Sequence, residues 1–428
     1  MEDFDQNRNY EMIRERMKER PINRKKLMRR TVITVSMAVI FGVFACITFL
    51  VLEPVISKIL YPAPAPEEVI LPEEMEEILP EDMLIAEEEP KPETTIQIQK
   101  YELDVLENYD ATYTELYGLV QNFRRSMVMV TEVNQDVDWF NNAYQNKGQH
   151  SGIIFANNKT QFFVLVDSLE VEKAEEITVT FLDGVSVPGK YVQHDINLGL
   201  SVICVNMSDI SEKTMDVIGV TSLGSSRSSS LLASPVIVLG RIYGNTESVA
   251  YGMITTEDNI LNMTDCNYEC LTTDIYGSEE ATGFVMNTSG HLLGVVNQEH
   301  NLEAAKNLIS FVGITEMRRT LERMCNGKEV PYLGVEGMDV TEAANLQQGV
   351  PLGAYVTEVV MDSPAMKAGI QSGDIITAID EMPILSFTQY IDALAGYEPE
   401  ETVNVQIRRQ GGTEYREISI PIILGKRK

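Results

Sequence analysis

The chain has 428 residues and a formal net charge of −30 at neutral pH, a balance that excludes nucleic acid as an electrostatically steered partner of its acidic portion. Its five cysteines are too few for a disulfide scaffold in a chain of this length. No Cys/His spacing matches a zinc site, so neither a metal nor a cofactor is expected.

Residues 1–30 carry ten Lys/Arg against six Asp/Glu and read as a short, charged tail. Thr31 to Leu52 follow, twenty-two residues without a charge or a proline. That length at about 1.5 Å per residue matches a hydrocarbon core of roughly 30 Å. A cleaved signal peptide would have a shorter apolar run and a small-residue exit. Here Glu53-Pro54 follows instead, so an uncleaved transmembrane helix is expected. Arg24, Lys25, Lys26, Arg29 and Arg30 precede the span and only Lys58 lies close behind it. The N-terminus is therefore predicted cytoplasmic and the rest extracytoplasmic, a single-pass protein of the cell membrane.

Residues 53–99 form an acidic, Pro/Glu-rich linker; positions 61–100 alone hold twelve acids against two lysines. Such a composition cannot bury enough apolar surface to offset chain entropy, and an extended spacer is predicted. Its apolar islands, Val69-Ile70-Leu71 and Met83-Leu84-Ile85, could dock on another surface, but the spacer is the preferred reading. Over 100–125 the recurrence of Tyr109, Tyr113, Leu116, Tyr117 and Val120 predicts a helix.

From 126 to 312 short apolar or alternating runs are broken by Gly, Asn, Asp and Ser, the pattern of an all-β barrel or sandwich. Cys204 reads as a buried thiol, and Cys266 with Cys270 could close a small loop. The serines of Ser225–Ser230 read as a solvated loop. A helix over Thr315–Cys325, capped at Asn326-Gly327, closes the unit at about residue 330. Residues 331–428 then have the size of a small independent α+β domain.

That last unit contains Tyr332-Leu333-Gly334-Val335, Gly353-Ala354-Tyr355-Val356, Asp362-Ser363-Pro364-Ala365 and Ala368 through Ile376. In that order and separation, these segments resemble a PDZ domain of the kind attached to HtrA-type proteases. The resemblance implies a peptide groove. Its Leu-Gly loop would offer backbone N–H groups to a terminal carboxylate, and the next strand would pair with an extended peptide. Tyr332, Leu333, Gly334 and Val335 would then bind peptide, with Phe387, Tyr390 and Leu394 on the helix of the opposite wall.

The preceding region is similar to the trypsin-like double six-stranded β-barrel of the same family. Ser151 to Phe155 looks like the entry strand, Pro235–Gly240 with Gly252–Thr255 like the paired strands of the second barrel, and Ser310–Ile314 like the exit segment. Catalysis in that family needs a histidine base, an orienting carboxylate and a serine nucleophile beside an oxyanion hole. Here Leu169 stands at the histidine position, Gly199 at the aspartate position, and Ala281 at the serine position, with Thr282 as the other alignment. Glu279 and Glu280 replace the glycine-rich approach to the nucleophile.

The family pattern thus implies a catalytically degenerate, membrane-anchored pseudoprotease with no catalytic residue of its own. It would bind extended or C-terminal peptides of unfolded envelope proteins, possible partners also being active HtrA-like subunits or, as a homotrimer, its own copies. The alternative is an active HtrA-type serine endopeptidase of envelope protein quality control. His150, His194, His291 and His300 are the available histidines, and each reads as structural or exposed.

Overall fold

The computed structural model describes residues 67–71 and, with short internal omissions, 105–427, together with part of 28–48. Val32, Ile33 and Val39–Phe44 of the expected span are helical and exposed. Among the described residues, no helix is long and apolar enough to cross a membrane. The rest of that span, the tail before Met28 and most of the linker lie outside the described residues. The described residues from Glu67 onward belong to one compact unit, Pro66–Lys428.

Helix α1 (Val105–Phe123) leads into the first barrel. It buries Val120 and Phe123, while Tyr113 and Tyr117 stay exposed. Strands β1 (Met127–Val137), β2 (Ala143–Asn157), β3 (Gln161–Val166), β4 (Glu176–Thr180), β5 (Ser186–Asp195) and β6 (Leu200–Asn206) close in the order β1-β2-β3-β6-β5-β4. The continuous apolar runs of β3 and β6 follow from period-2 geometry with both faces covered. Val164, Ile203 and Val205 fill the barrel. Phe163, Leu165, Val202 and Cys204 face out into a core shared with the second barrel.

The second barrel begins after the short β7 (Ser222–Leu223) and comprises β8 (Pro235–Arg241), β9 (Ser248–Met263), β10 (Cys266–Tyr276), β11 (Thr282–Asn287), β12 (His291–Val296) and β13 (Leu308–Gly313). The order is β11-β8-β9-β10-β13-β12, closed by a β11–β12 pairing, with β7 parallel to β12. The double-barrel expectation is therefore met. Cys266 and Cys270 are free, buried thiols in β10 rather than a closed loop. Ser226 is also buried, exchanging hydrogen bonds with Thr315, so that part of the serine run is not solvated.

Helix α2 (Ile314–Cys325) packs Ile314, Met317, Leu321 and Met324 onto the inter-barrel core and ends at Asn326. The Asn326 side chain corrects the spacer reading of the linker at one place. It accepts from the Val69 N–H at 2.9 Å and donates to the Val69 carbonyl at 3.0 Å. Val69 and Leu71 are buried in the shared core, with Glu67 paired to Lys159 at 2.8 Å and Glu68 to Lys328. The island docks because two large aliphatic side chains find apolar cover while one asparagine satisfies both backbone groups of Val69.

The C-terminal domain has β14 (Pro331–Tyr332), β15 (Val335–Asp339), α3 (Glu342–Gln348), β16 (Ala354–Val359), α4 (Pro364–Ala368), β17 (Ile375–Ile379), β18 (Met382–Pro383), α5 (Phe387–Leu394), β19 (Thr402–Gly411), β20 (Glu414–Ile423) and β21 (Gly425–Lys426). Its sheet runs β15-β16-β17-β19-β20, and β14 pairs with β21. Thr341, Ser363 and Ser386 cap the three helices by accepting from the third residue on. The buried Asp374 carboxylate receives Arg409 Nε and Nη2, each at 2.7 Å, and ties β19 to the turn before β17.

Candidate functional site

Leu169, Gly199 and Ala281 are the positions that the sequence resemblance aligns with catalytic groups. Leu169 caps the single turn Glu170–Lys173 and is half-buried. Gly199 turns the chain between β5 and β6 with φ +69°, and a Cβ there would meet nothing within 4 Å. Ala281 is buried in the interior of the second barrel with Val238, Ile242 and Ile309. Its N–H donates to the Ser278 carbonyl at 3.0 Å, so the amide of the aligned nucleophile position is committed to a turn. Glu279 and Glu280 are exposed beside it. The histidines face other groups: His150 lies near Glu132 and Glu170, and His194 lies against the Tyr191 hydroxyl and Glu172.

Asp167 follows β3 and feels the charge of Glu299, which follows β12. Burial first, and then the Glu299 charge, pushes the Asp167 carboxyl up to about 7. The folded state therefore holds this proton more tightly than the unfolded chain does. Its contribution is complete below the unfolded value of 3.8 and is lost as pH rises through about 7. Asp167→Asn should accordingly raise the melting temperature at pH 8, the gain over wild type growing between about pH 4 and pH 7. Thermal melts at three pH values would show it; a pH-independent difference would remove the account.

The most organised polar site lies where the second barrel meets the C-terminal domain. The turn joining β9 to β10 places Asp265, with φ +56°, against the loop Tyr332–Val335. Leu333 and Gly334 N–H donate to Asp265 Oδ2 at 2.8 and 2.7 Å, and Val335 N–H donates to Oδ1 at 3.1 Å. The Tyr390 hydroxyl, on α5, completes the set at 2.5 Å. In return the Asp265 N–H donates to the Val335 carbonyl at 2.8 Å. Two residues on, Asn267 Nδ2 donates to the Gly337 carbonyl at 3.1 Å, the next inward-facing position of β15. Burial pushes the Asp265 carboxyl above its ordinary range, against the pull of these hydrogen bonds.

Gly334 makes the loop possible. Its φ is +90° and a Cβ would come within 2.2 Å of the Ser363 Cβ. Successive N–H groups thereby converge on one carboxylate, an anion-binding nest. Of the residues read as peptide-binding, Tyr332, Leu333, Gly334 and Val335 form this loop. Phe387, Tyr390 and Leu394 are buried along α5 behind it. The loop and α5 do come together, and the carboxylate between them is Asp265 of the same chain. Asp265 was not singled out by sequence, where only Thr264-Asp265 in a turn-forming context marks it.

Around this contact, α2 and α5 enclose a cavity of about 90 Å³ lined by Asp265, Cys266, Thr320, Ile391, Leu394 and Arg427, among others. Arg427 is buried there, with Nη2 3.1 Å from Asp195 Oδ2 on β5. Burial opposes its charge, and Asp195 holds it protonated.

Two six-stranded β-barrels followed by a small α+β domain give a fold shared with HtrA-type proteases. Residues 331–420 match the family model "PDZ domain". The chain is similar to the serine protease Do-like HtrA of Bacillus subtilis, 24% identical over 296 residues, covering 64% of this chain and 63% of the relative. It is also similar to the periplasmic pH-dependent serine endoprotease DegQ of Escherichia coli, 24% identical over 275 residues, covering 62% and 57%. The chain thus spans less than two thirds of the length of these relatives. In three dimensions it resembles the HtrA-type protease AlgW solved with a decapeptide, with a TM-score of 0.52, 17% identity and coverage of 73% of this chain and 98% of that one. The same protease solved with a tripeptide gives a TM-score of 0.51. These likenesses establish the fold.

Proposed function

We propose that this chain is a membrane-anchored, extracytoplasmic HtrA-type protein that is proteolytically silent and reads extended or C-terminal peptides through its PDZ domain. Asp265 holds the groove closed until a peptide carboxylate displaces it. The observation that carries this reading is the Asp265 carboxylate, held by three backbone N–H groups and the Tyr390 hydroxyl in the loop that PDZ domains turn toward ligand. An internal group with the charge, donors and strand-edge contacts of a peptide terminus is a competitor of that peptide.

Silence is supported by the side chains at the aligned catalytic positions. Leu169 accepts no proton, Gly199 orients nothing, and Ala281 supplies neither nucleophile nor a free N–H. Loss of nucleophile and base together typically removes about six orders of magnitude in turnover. Anchoring is supported by the twenty-two uncharged residues Thr31–Leu52 and the basic flank before them.

The test uses the full chain in detergent, incubated with unfolded casein and a fluorophosphonate probe, with and without a peptide ending in an apolar residue and a free carboxylate. Peptide binding with neither cleavage nor labelling is expected. Labelling or cleavage that a single substitution in residues 126–330 abolishes would overturn the silent reading. Failure of any free-carboxylate peptide to bind would overturn the groove reading.

A further inference from the structure

We propose that Glu132, His150 and Glu170 form a binding site for a divalent transition-metal cation of the Zn²⁺ class, a clamp between the β1–β2 hairpin and the turn after β3. One ligand atom from each residue lies within 4.8 Å of the others. His150 Nε2 is 3.6 Å from Glu132 Oε1 and 3.9 Å from Glu170 Oε2. Metal–ligand bonds of about 2.0–2.2 Å place neighbouring donors roughly 3–3.5 Å apart. A small rotation of Glu170, whose side chain is 74% exposed, therefore suffices to close the site.

The cluster is more than surface acidity. Glu132 is only 2% exposed, and its Oε2, like His150 Nε2, is buried with no hydrogen-bond partner among the described residues. A carboxylate oxygen and an imidazole nitrogen left bare beside each other are costly in a folded chain. A cation bonded to both removes that cost.

The strands are built to make the room. Glu132 pairs with Gly148 across the hairpin, and a Cβ at Gly148 would come within 2.5 Å of Glu132 Oε1. His150 stands two residues further along β2, on the same face. Burial, with Glu170 beside it, pushes the Glu132 carboxyl up to about 7, and burial holds the His150 imidazole below its ordinary value. Arg241, whose charge also bears on His150, donates to the Gln149 carbonyl next to it. One imidazole with two carboxylates is a donor set of zinc and of its first-row neighbours, and the exposed side leaves positions for water. Sequence spacing conceals it, because the three ligands come from two strands and a separate turn.

The site is tested by titrating the tag-free full chain in detergent with Zn²⁺, and separately with Mg²⁺, by calorimetry, and by the visible spectrum after loading with Co²⁺. One Zn²⁺ per chain is expected, with Mg²⁺ much weaker and the Co²⁺ bands sensitive to His150→Gln. Glu170→Gln, an exposed change that spares the fold, should weaken Zn²⁺ at least tenfold, and Glu132→Gln or His150→Gln at least as much. Absence of Zn²⁺ binding by the wild-type chain, or binding that Glu170→Gln and His150→Gln both leave unchanged, would overturn the proposal.

Discussion

Asp265→Ala should bind a C-terminal peptide at least tenfold more tightly than the wild-type chain. The reason is a population argument. When the competent form is only a fraction of molecules, the apparent dissociation constant is the intrinsic one divided by that fraction. Asp265 makes four hydrogen bonds as a buried carboxylate, each of a type worth about 1.5–3 kcal/mol when unopposed. Most of that is spent on desolvation, so a net closing free energy of only about 1.4 kcal/mol is invoked, which is a factor of ten.

Asp265→Asn should fall between alanine and wild type, because the amide keeps one acceptor oxygen but loses the charge. A peptide with an amidated C-terminus should gain little from either substitution, since it lacks the carboxylate that takes the place of Asp265. Fluorescence anisotropy on the three proteins with the two peptides decides the matter. Equal affinity of wild type and Asp265→Ala for the free-carboxylate peptide would end the displacement account.

Arg427→Met should lower stability by about 3–5 kcal/mol, the usual cost of stranding one member of a buried ion pair. The Arg427 and Asp195 side chains are 6% and 1% exposed, so solvent screening offers little relief. Replacing both partners, as Arg427→Met with Asp195→Leu, should recover most of the loss, because an apolar pair no longer leaves a bare charge. Arg427 also donates to Thr320 Oγ1 on α2 at 3.2 Å. It therefore joins the end of the PDZ domain to both barrels, and its loss should also ease peptide entry. Urea unfolding of the single and double variants would measure the first effect. A loss under 1 kcal/mol for Arg427→Met would mean that the pair is hydrated.

Much of this architecture is legible along the chain. The apolar run Phe162–Val166 announces a strand with both faces covered, because period-2 geometry leaves no polar face to a strand between two cores. Tyr332-Leu333-Gly334-Val335 is read as a carboxylate loop through its resemblance to a PDZ domain, and the positive φ of Gly334 is the local feature that makes such a loop possible. The identities of Leu169, Gly199 and Ala281 are plain in the sequence, but their assignment to catalytic positions comes from the family resemblance and not from the residues themselves.

Tertiary structure alone decided what meets what. Val69 and Leu71, written inside an acidic spacer, are buried because Asn326 and the barrel surface receive them. Glu132, His150 and Glu170 become neighbours only through the β1–β2 register and the turn after β3. The largest revision concerns the peptide groove. The sequence specifies donors for a carboxylate but carries no sign that the carboxylate is Asp265, because that pairing depends on docking the second barrel against the PDZ domain. Local signals encode the shape of each element and the groups it presents. The partner of a presented group is set by long-range packing, which no stretch of residues records by itself.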